Sequence, residues 1–69
     1  MEILVEKLQE ILEIDFVDLT KKFNDYEEWD SLASLSLIAM LDTDYNKTMT
    51  TKEILGFENI GEFCKTVLA

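Results

Sequence analysis

EEWDSLASLSL, Glu27 to Leu37, is the stretch from which the rest of the chain is read. Two acids and a tryptophan run into an aspartate and a serine, and there the charge stops. Asp30 and Ser31 are both residue types that cap a helix: a side-chain oxygen accepts a hydrogen bond from a first-turn N–H that otherwise lacks a partner. Either one starts a helix here, so Ser31 is a cap or a place where something large is attached. At about 100° per residue, Ser34, Leu37, Ile38, Leu41 and Tyr45 share one side of a helix running to about Tyr45. That side is expected to face the core. The opposite side carries Leu32, Ser36, Ala39 and Thr43, flanked by Leu35 and Met40. It is small and mildly apolar, and such a strip on a surface helix points to a partner site.

Working outward, residues 2–13 read as an amphipathic helix, with Leu4, Leu8, Ile11 and Leu12 at helical spacing and Glu6, Lys7, Glu10 and Glu13 on the other side. Residues 14–29 fit no period. Asp15, Asp18, Asn24 and Asp25 break any helix there, while Ile14, Phe16, Val17, Leu19, Phe23, Tyr26 and Trp29 are expected to anchor the connection to the core. Loops of such length are uncommon in compact domains and are often functional. After the second helix, Asn46 to Met49 turns the chain. Thr50 or Thr51 caps a short third helix, with Glu53 at capping-box distance from Thr50, and Gly56 ends it. Asn59 caps a last helix, Ile60 to Leu68, whose buried face is Ile60, Phe63, Cys64, Val67 and Leu68. No strand is convincing. The expectation is an all-α domain over residues 1–69: a small four-helix bundle of three main helices and one short one.

Composition narrows the function. The chain has 69 residues, one cysteine, no histidine, and 15 Asp and Glu against six Lys, for a net charge of -9. One cysteine allows no internal disulfide, which fits a reducing cytoplasm, and Cys64 lies on an apolar face as an inert buried thiol. Without histidine the commonest general base is missing, as are Ser-His and Cys-His pairs, so the reading is that the chain is not an enzyme. Zinc sites of the usual kind are also unsupported. The acidity keeps the molecule soluble and monomeric, and disfavours nucleic acid and anionic membranes, which need basic patches. The N-terminal MEILVEKLQEIL is acidic and alternates charge with apolar residues, so neither a signal peptide nor a membrane span is expected. A basic protein surface is the natural complement.

Asp30-Ser31-Leu32, at the start of a second helix after a long anchored loop, resembles the D-S-L attachment motif of acyl carrier proteins. The likeness covers nearly the whole chain. Leu35, Leu37, Ile38, Leu41, Tyr45, Met49, Ile54 and Ile60 follow the family's apolar spacing. The resemblance implies that Ser31 carries 4'-phosphopantetheine, transferred from coenzyme A by a phosphopantetheinyl transferase, and that Asp30 is read by that transferase. It implies that the arm's thiol holds acyl or aminoacyl groups as thioesters for acyl-loading and acyl-transfer enzymes. The second helix then meets those partners through Leu32, Leu35, Ser36, Ala39 and Met40. A phosphodiester at Ser31 lies favourably beside the positive end of the helix dipole. The chain departs from the family at Glu28-Trp29, where many members have a glycine pair or Gly-Ala; Trp29 is expected to pack the loop end against the bundle. It departs again on the second helix, where Ala33, Ser34, Ser36 and Ala39 replace acids usual in fatty-acid-synthesis carriers. Together these imply a standalone carrier with dedicated partners in a specialised pathway, such as surface-polysaccharide or secondary-metabolite assembly.

DTDYNKTMTTKE, Asp42 to Glu53, sustains a rival reading. As an EF-hand loop it places Asp42, Asp44 and Asn46 at positions 1, 3 and 5, Thr48 at position 7 and Glu53 at position 12. Against it stand Lys47 where a glycine makes the sharp turn, Gly56 interrupting the following helix, and no second loop to pair with the first. A carrier-like domain that never receives the arm, acting only as an interaction module, is the third reading.

Overall fold

The computed structural model describes residues 2–69, which form four α-helices: α1 (Glu2–Leu12), α2 (Ser31–Tyr45), α3 (Thr51–Leu55) and α4 (Ile60–Leu68). No strand occurs among the described residues, in agreement with the sequence reading. The core is built from Leu4, Leu8 and Leu12 of α1, Ala33, Leu37 and Leu41 of α2, Ile54 of α3, and Ile60, Phe63, Cys64 and Val67 of α4. Val17 and Phe23 join it from the long connection. Leu4, Leu8 and Leu12 recur every fourth residue, so they stack along one side of α1. α1 runs antiparallel to α2. Its last turn lies beside the start of α2, while Glu2, Ile3 and Leu4 share a concavity with Tyr45 and Leu68 at the other end. Lys7 Nζ bonds Asp44 Oδ2 at 2.9 Å and fastens α1 to the last turn of α2.

α1 stops one residue earlier than the sequence reading places it. Glu13 adopts φ 55°, and the amides of Glu13 and Ile14 turn back to the carbonyls of Glu10 (3.3 Å) and Gln9 (3.1 Å). That is the Schellman closure, which most often uses glycine at the left-handed position. Here glutamate accepts the strain so that Ile14 points back at the core. α2 closes on another left-handed residue, Asn46 (φ 53°), a type that tolerates this region. Gly56 ends α3 as the sequence reading places it, and does so in a right-handed conformation (φ -78°).

The long connection is held by hydrogen bonds that the periodicity does not reveal. A single 3-10 turn, Phe23–Asp25, is its only regular element. Asp18 Oδ1 accepts bonds from the Thr20 hydroxyl (2.6 Å) and Thr20 N–H (2.9 Å), while Asp18 N–H donates to the Tyr26 hydroxyl at 2.8 Å. Farther on, the carbonyls of Lys21 and Leu19 accept from Ile60 N–H (2.8 Å) and Gly61 N–H (2.9 Å). The first-turn amides of α4, which need partners from outside the helix, therefore dock the connection. Gly61 permits the approach, since a Cβ there would lie 3.2 Å from the Leu19 carbonyl oxygen. Val17 and Phe23 are buried as expected, and Ile14, Leu19, Tyr26 and Trp29 pack partly buried. Phe16 is a correction: it is 74% exposed. Its neighbour Val17, 4% exposed, takes the inward place instead.

The Asp18 carboxyl is held below its ordinary pKa, first by the Thr20 hydroxyl and then by the Thr20 amide. A carboxyl whose pKa is lowered by folding adds stability above its unfolded value, and loses that contribution as pH falls through the folded value. The urea midpoint of Asp18→Ala is therefore expected to lie below wild type at pH 7, with the gap closing as pH drops below about 4. A gap of constant size across that range would mean that the charge plays no part in the turn.

Candidate functional site

Asp30 and Ser31 divide the two roles that the sequence left open between them. Asp30 is extended (φ -143°, ψ -172°) and its Oδ1 accepts from Ala33 N–H at 2.8 Å, so Asp30 is the N-cap of α2. Ser31 is the first helical residue and is exposed. Its hydroxyl takes no part in the side-chain hydrogen bonding of the described residues, in contrast to the serine one turn on. That serine, Ser34, is buried (5% exposed) and its hydroxyl pairs with the Thr51 hydroxyl at the start of α3. Thr50 is the cap of α3, in a box with Glu53, which frees Thr51 for this contact.

A groove beside Ser31 is lined by Trp29, Asp30, Ser31, Ser34, Leu35 and Thr51. Trp29 is placed by an aromatic chain. Its ring lies 4.9 Å from that of Phe23, Phe23 is edge-on to Phe63 at 5.0 Å, and Phe57 meets Phe63 at 5.7 Å. Trp29 N–H also closes a turn on the Tyr26 carbonyl at 3.2 Å. Trp29 thus packs the loop end against the bundle, as expected of the residue standing where glycine is usual.

The exposed strip of α2 is partly as read. Leu32 (74%) and Leu35 (62%) are open, and Ser36, Ala39 and Thr43 are exposed. Met40 is half-buried and packs against the core, so it borders the strip instead of standing out from it. Ala33 and Ser34, counted among small residues replacing surface acids, are both buried (5% each). α2 is covered from two sides, by α1 beside Ala33 and by α3 through Ser34, which widens its buried arc by one position.

The residues of the calcium-loop reading are engaged elsewhere. Asp44 pairs with Lys7, Asn46 is the left-handed cap of α2, and Glu53 Oε1 accepts from Thr50 N–H at 3.1 Å. Asp42 and Thr48 are exposed. Among the described residues no three acidic, Cys or His side chains converge as a metal-binding group. Glu53, the acid at position 12 of that reading, is engaged in starting α3, and this loop is the turn between α2 and α3.

The model of the family described as "Phosphopantetheine attachment site" matches residues 2–67. The chain belongs to that family. It is an acyl-carrier-type domain, and its all-helical architecture is the one expected of such carriers. No curated protein and no solved structure matches the chain. The family's prosthetic group is 4'-phosphopantetheine, and its domains meet enzymes that attach the group and handle what it carries.

The residues beside Ser31 fit that group. An exposed hydroxyl at the first position of a 15-residue helix adjoins unpartnered amides and the positive end of the dipole, which favours a phosphodiester. The first turn of α2 contains no acid to repel it, and the Asp30 carboxylate before it accepts a hydrogen bond from Ala33 N–H. Among the described residues no helix is long and apolar enough to cross a membrane. Cys64 is fully buried and burial raises its thiol pKa, so the chain's own sulfur is kept unreactive.

Proposed function

We propose that this chain is a carrier in which the Ser31 hydroxyl is the attachment point for 4'-phosphopantetheine. The observation that supports this most is the division of labour at the start of α2: Asp30 performs the capping, so Ser31 has no structural task there. When bound, the group supplies a terminal thiol on a flexible arm, which holds an acyl or aminoacyl cargo as a thioester. The chain itself carries and does not catalyse. Asp30 fixes the helix start and presents its remaining carboxylate oxygen to the transferase. Leu32, Leu35, Ser36 and Ala39, bordered by Met40, form the strip against which partner enzymes pack. The mostly apolar strip favours dedicated partners in a specialised cytoplasmic pathway.

The test is intact mass after incubation with coenzyme A, magnesium and a promiscuous phosphopantetheinyl transferase, followed by native alkylation with iodoacetamide. One phosphopantetheine is expected per chain, with one alkylation after modification and none before, because Cys64 is buried. A folded wild type that gains no mass would overturn the attachment reading, and the interaction-module alternative would take its place.

A further inference from the structure

Trp29 is tied down but not covered. Its ring lies 4.9 Å from that of Phe23 at a tilt of 33°, which fixes its place at the loop end. It is nonetheless only half-buried, and it lines the groove beside Ser31. Leu35, 62% exposed, brings a second apolar side chain to that groove. Two hydroxyl residues, Ser34 and Thr51, line it as well. Their hydroxyls bond each other, and among the described residues neither makes another side-chain hydrogen bond. The pair spends one of its two O–H donors on itself, so one donor and several lone pairs remain. Ser34 is 5% exposed, so its hydroxyl is a buried polar group with hydrogen-bonding capacity to spare.

A groove of this make-up matches the first part of a 4'-phosphopantetheine arm. Next to the phosphate of the arm comes a carbon bearing two methyl groups, then a hydroxyl and an amide. The methyl groups suit Trp29 and Leu35, and the hydroxyl and amide suit the Ser34–Thr51 pair. Ser34 lies one turn beyond Ser31, about 4.5 Å farther along the helix axis, within reach of that part of the arm and short of its thiol. We propose that Trp29 and Leu35, with the Ser34–Thr51 hydroxyl pair, form a cradle for the first part of the arm on Ser31. Trp29 stands where many carriers have glycine or alanine, so this wall is a feature of this chain. A cradled base fixes the direction in which the arm sets out, which lowers the ordering cost when a partner takes up the thioester. The inference rests on the attachment reading above.

Trp29 is the single tryptophan, so it reports on the cradle directly. Wild type is compared before and after modification by the transferase with coenzyme A, with intact mass taken on the same sample. The arm is expected to lower acrylamide quenching of Trp29 roughly two-fold, as befits cover over a half-exposed ring. Nuclear Overhauser cross-peaks are expected between the methyl groups of the arm and the indole protons. Leu35→Ala, at an exposed position, should fold like wild type and, once modified, return most of the way to the quenching of the unmodified protein. Complete modification with unchanged quenching and no such cross-peaks would overturn the inference and leave the attachment reading standing. Lower quenching without the cross-peaks would mean that the loop end had tightened by itself, and would sink the cradle as well. An unmodified wild type would overturn the attachment reading, and this inference with it.

Discussion

Ser31→Ala is expected to take up no phosphopantetheine while folding as well as wild type. The second half follows from the helix cap. The hydrogen bond that starts α2 comes from the Asp30 carboxylate, which the substitution leaves in place. Alanine at the first helical position has the higher intrinsic helix propensity, so the change in stability should stay within about 0.5 kcal/mol. The first half follows from the unsuitability of the neighbouring serines. Ser34 is one turn away, but it is buried and its hydroxyl pairs with Thr51, so reaching it requires parting α2 from α3. Ser36 is exposed, yet it sits inside the helix, where the backbone amides are already bonded and no free N–H faces a phosphate. Intact mass and a urea melt on the same sample decide the matter. A full equivalent added to the folded variant would move the attachment point elsewhere and sink the assignment of Ser31.

Much of this was legible in the sequence, because the helix starts are written in short-range chemistry. Asn59 and the Thr50–Glu53 pair cap where their spacing predicts, and the leucines of α1 bury as their period requires. Where two residues compete for one local role, sequence gives no decision. Asp30 and Ser31 are equally good caps by residue type, and only the structure shows that it is Asp30 whose carboxylate holds the Ala33 amide. The arc of α2 was read too narrow for a related reason. A helix covered from two sides buries more than a single stripe, and the number of covering neighbours is not a property of its own sequence. The docking of Leu19 and Lys21 carbonyls onto the first turn of α4 was invisible, since backbone-to-backbone bonds between distant segments leave no side-chain pattern. Gly61 was the one available signal, a helical position where the missing Cβ makes room for the Leu19 carbonyl.

Phe63→Ala is expected to unfold a large share of the molecules at room temperature. Phe63 is fully buried, and removing a buried phenylalanine ring costs about 3–5 kcal/mol. A chain of 69 residues at roughly 0.05–0.15 kcal/mol per residue has about 3–10 kcal/mol in total, so the substitution takes between a third and all of it. Self-repulsion at a net charge of -9 places this chain toward the lower end. The loss also reaches the site. Phe63 is the ring against which both Phe23 and Phe57 stand, and Phe23 in turn supports Trp29, the residue before Asp30. Phe63→Leu keeps much of the volume and should remain folded, with Trp29, the single tryptophan, fluorescing further to the red as the loop end loosens. Urea midpoints from circular dichroism, read beside Trp29 emission, separate the two effects. A Phe63→Ala midpoint close to wild type would show that the stability resides in the leucines of α1 and α2. An unshifted Trp29 in a folded Phe63→Leu variant would show that the turn on the Tyr26 carbonyl holds the loop end without the aromatic chain.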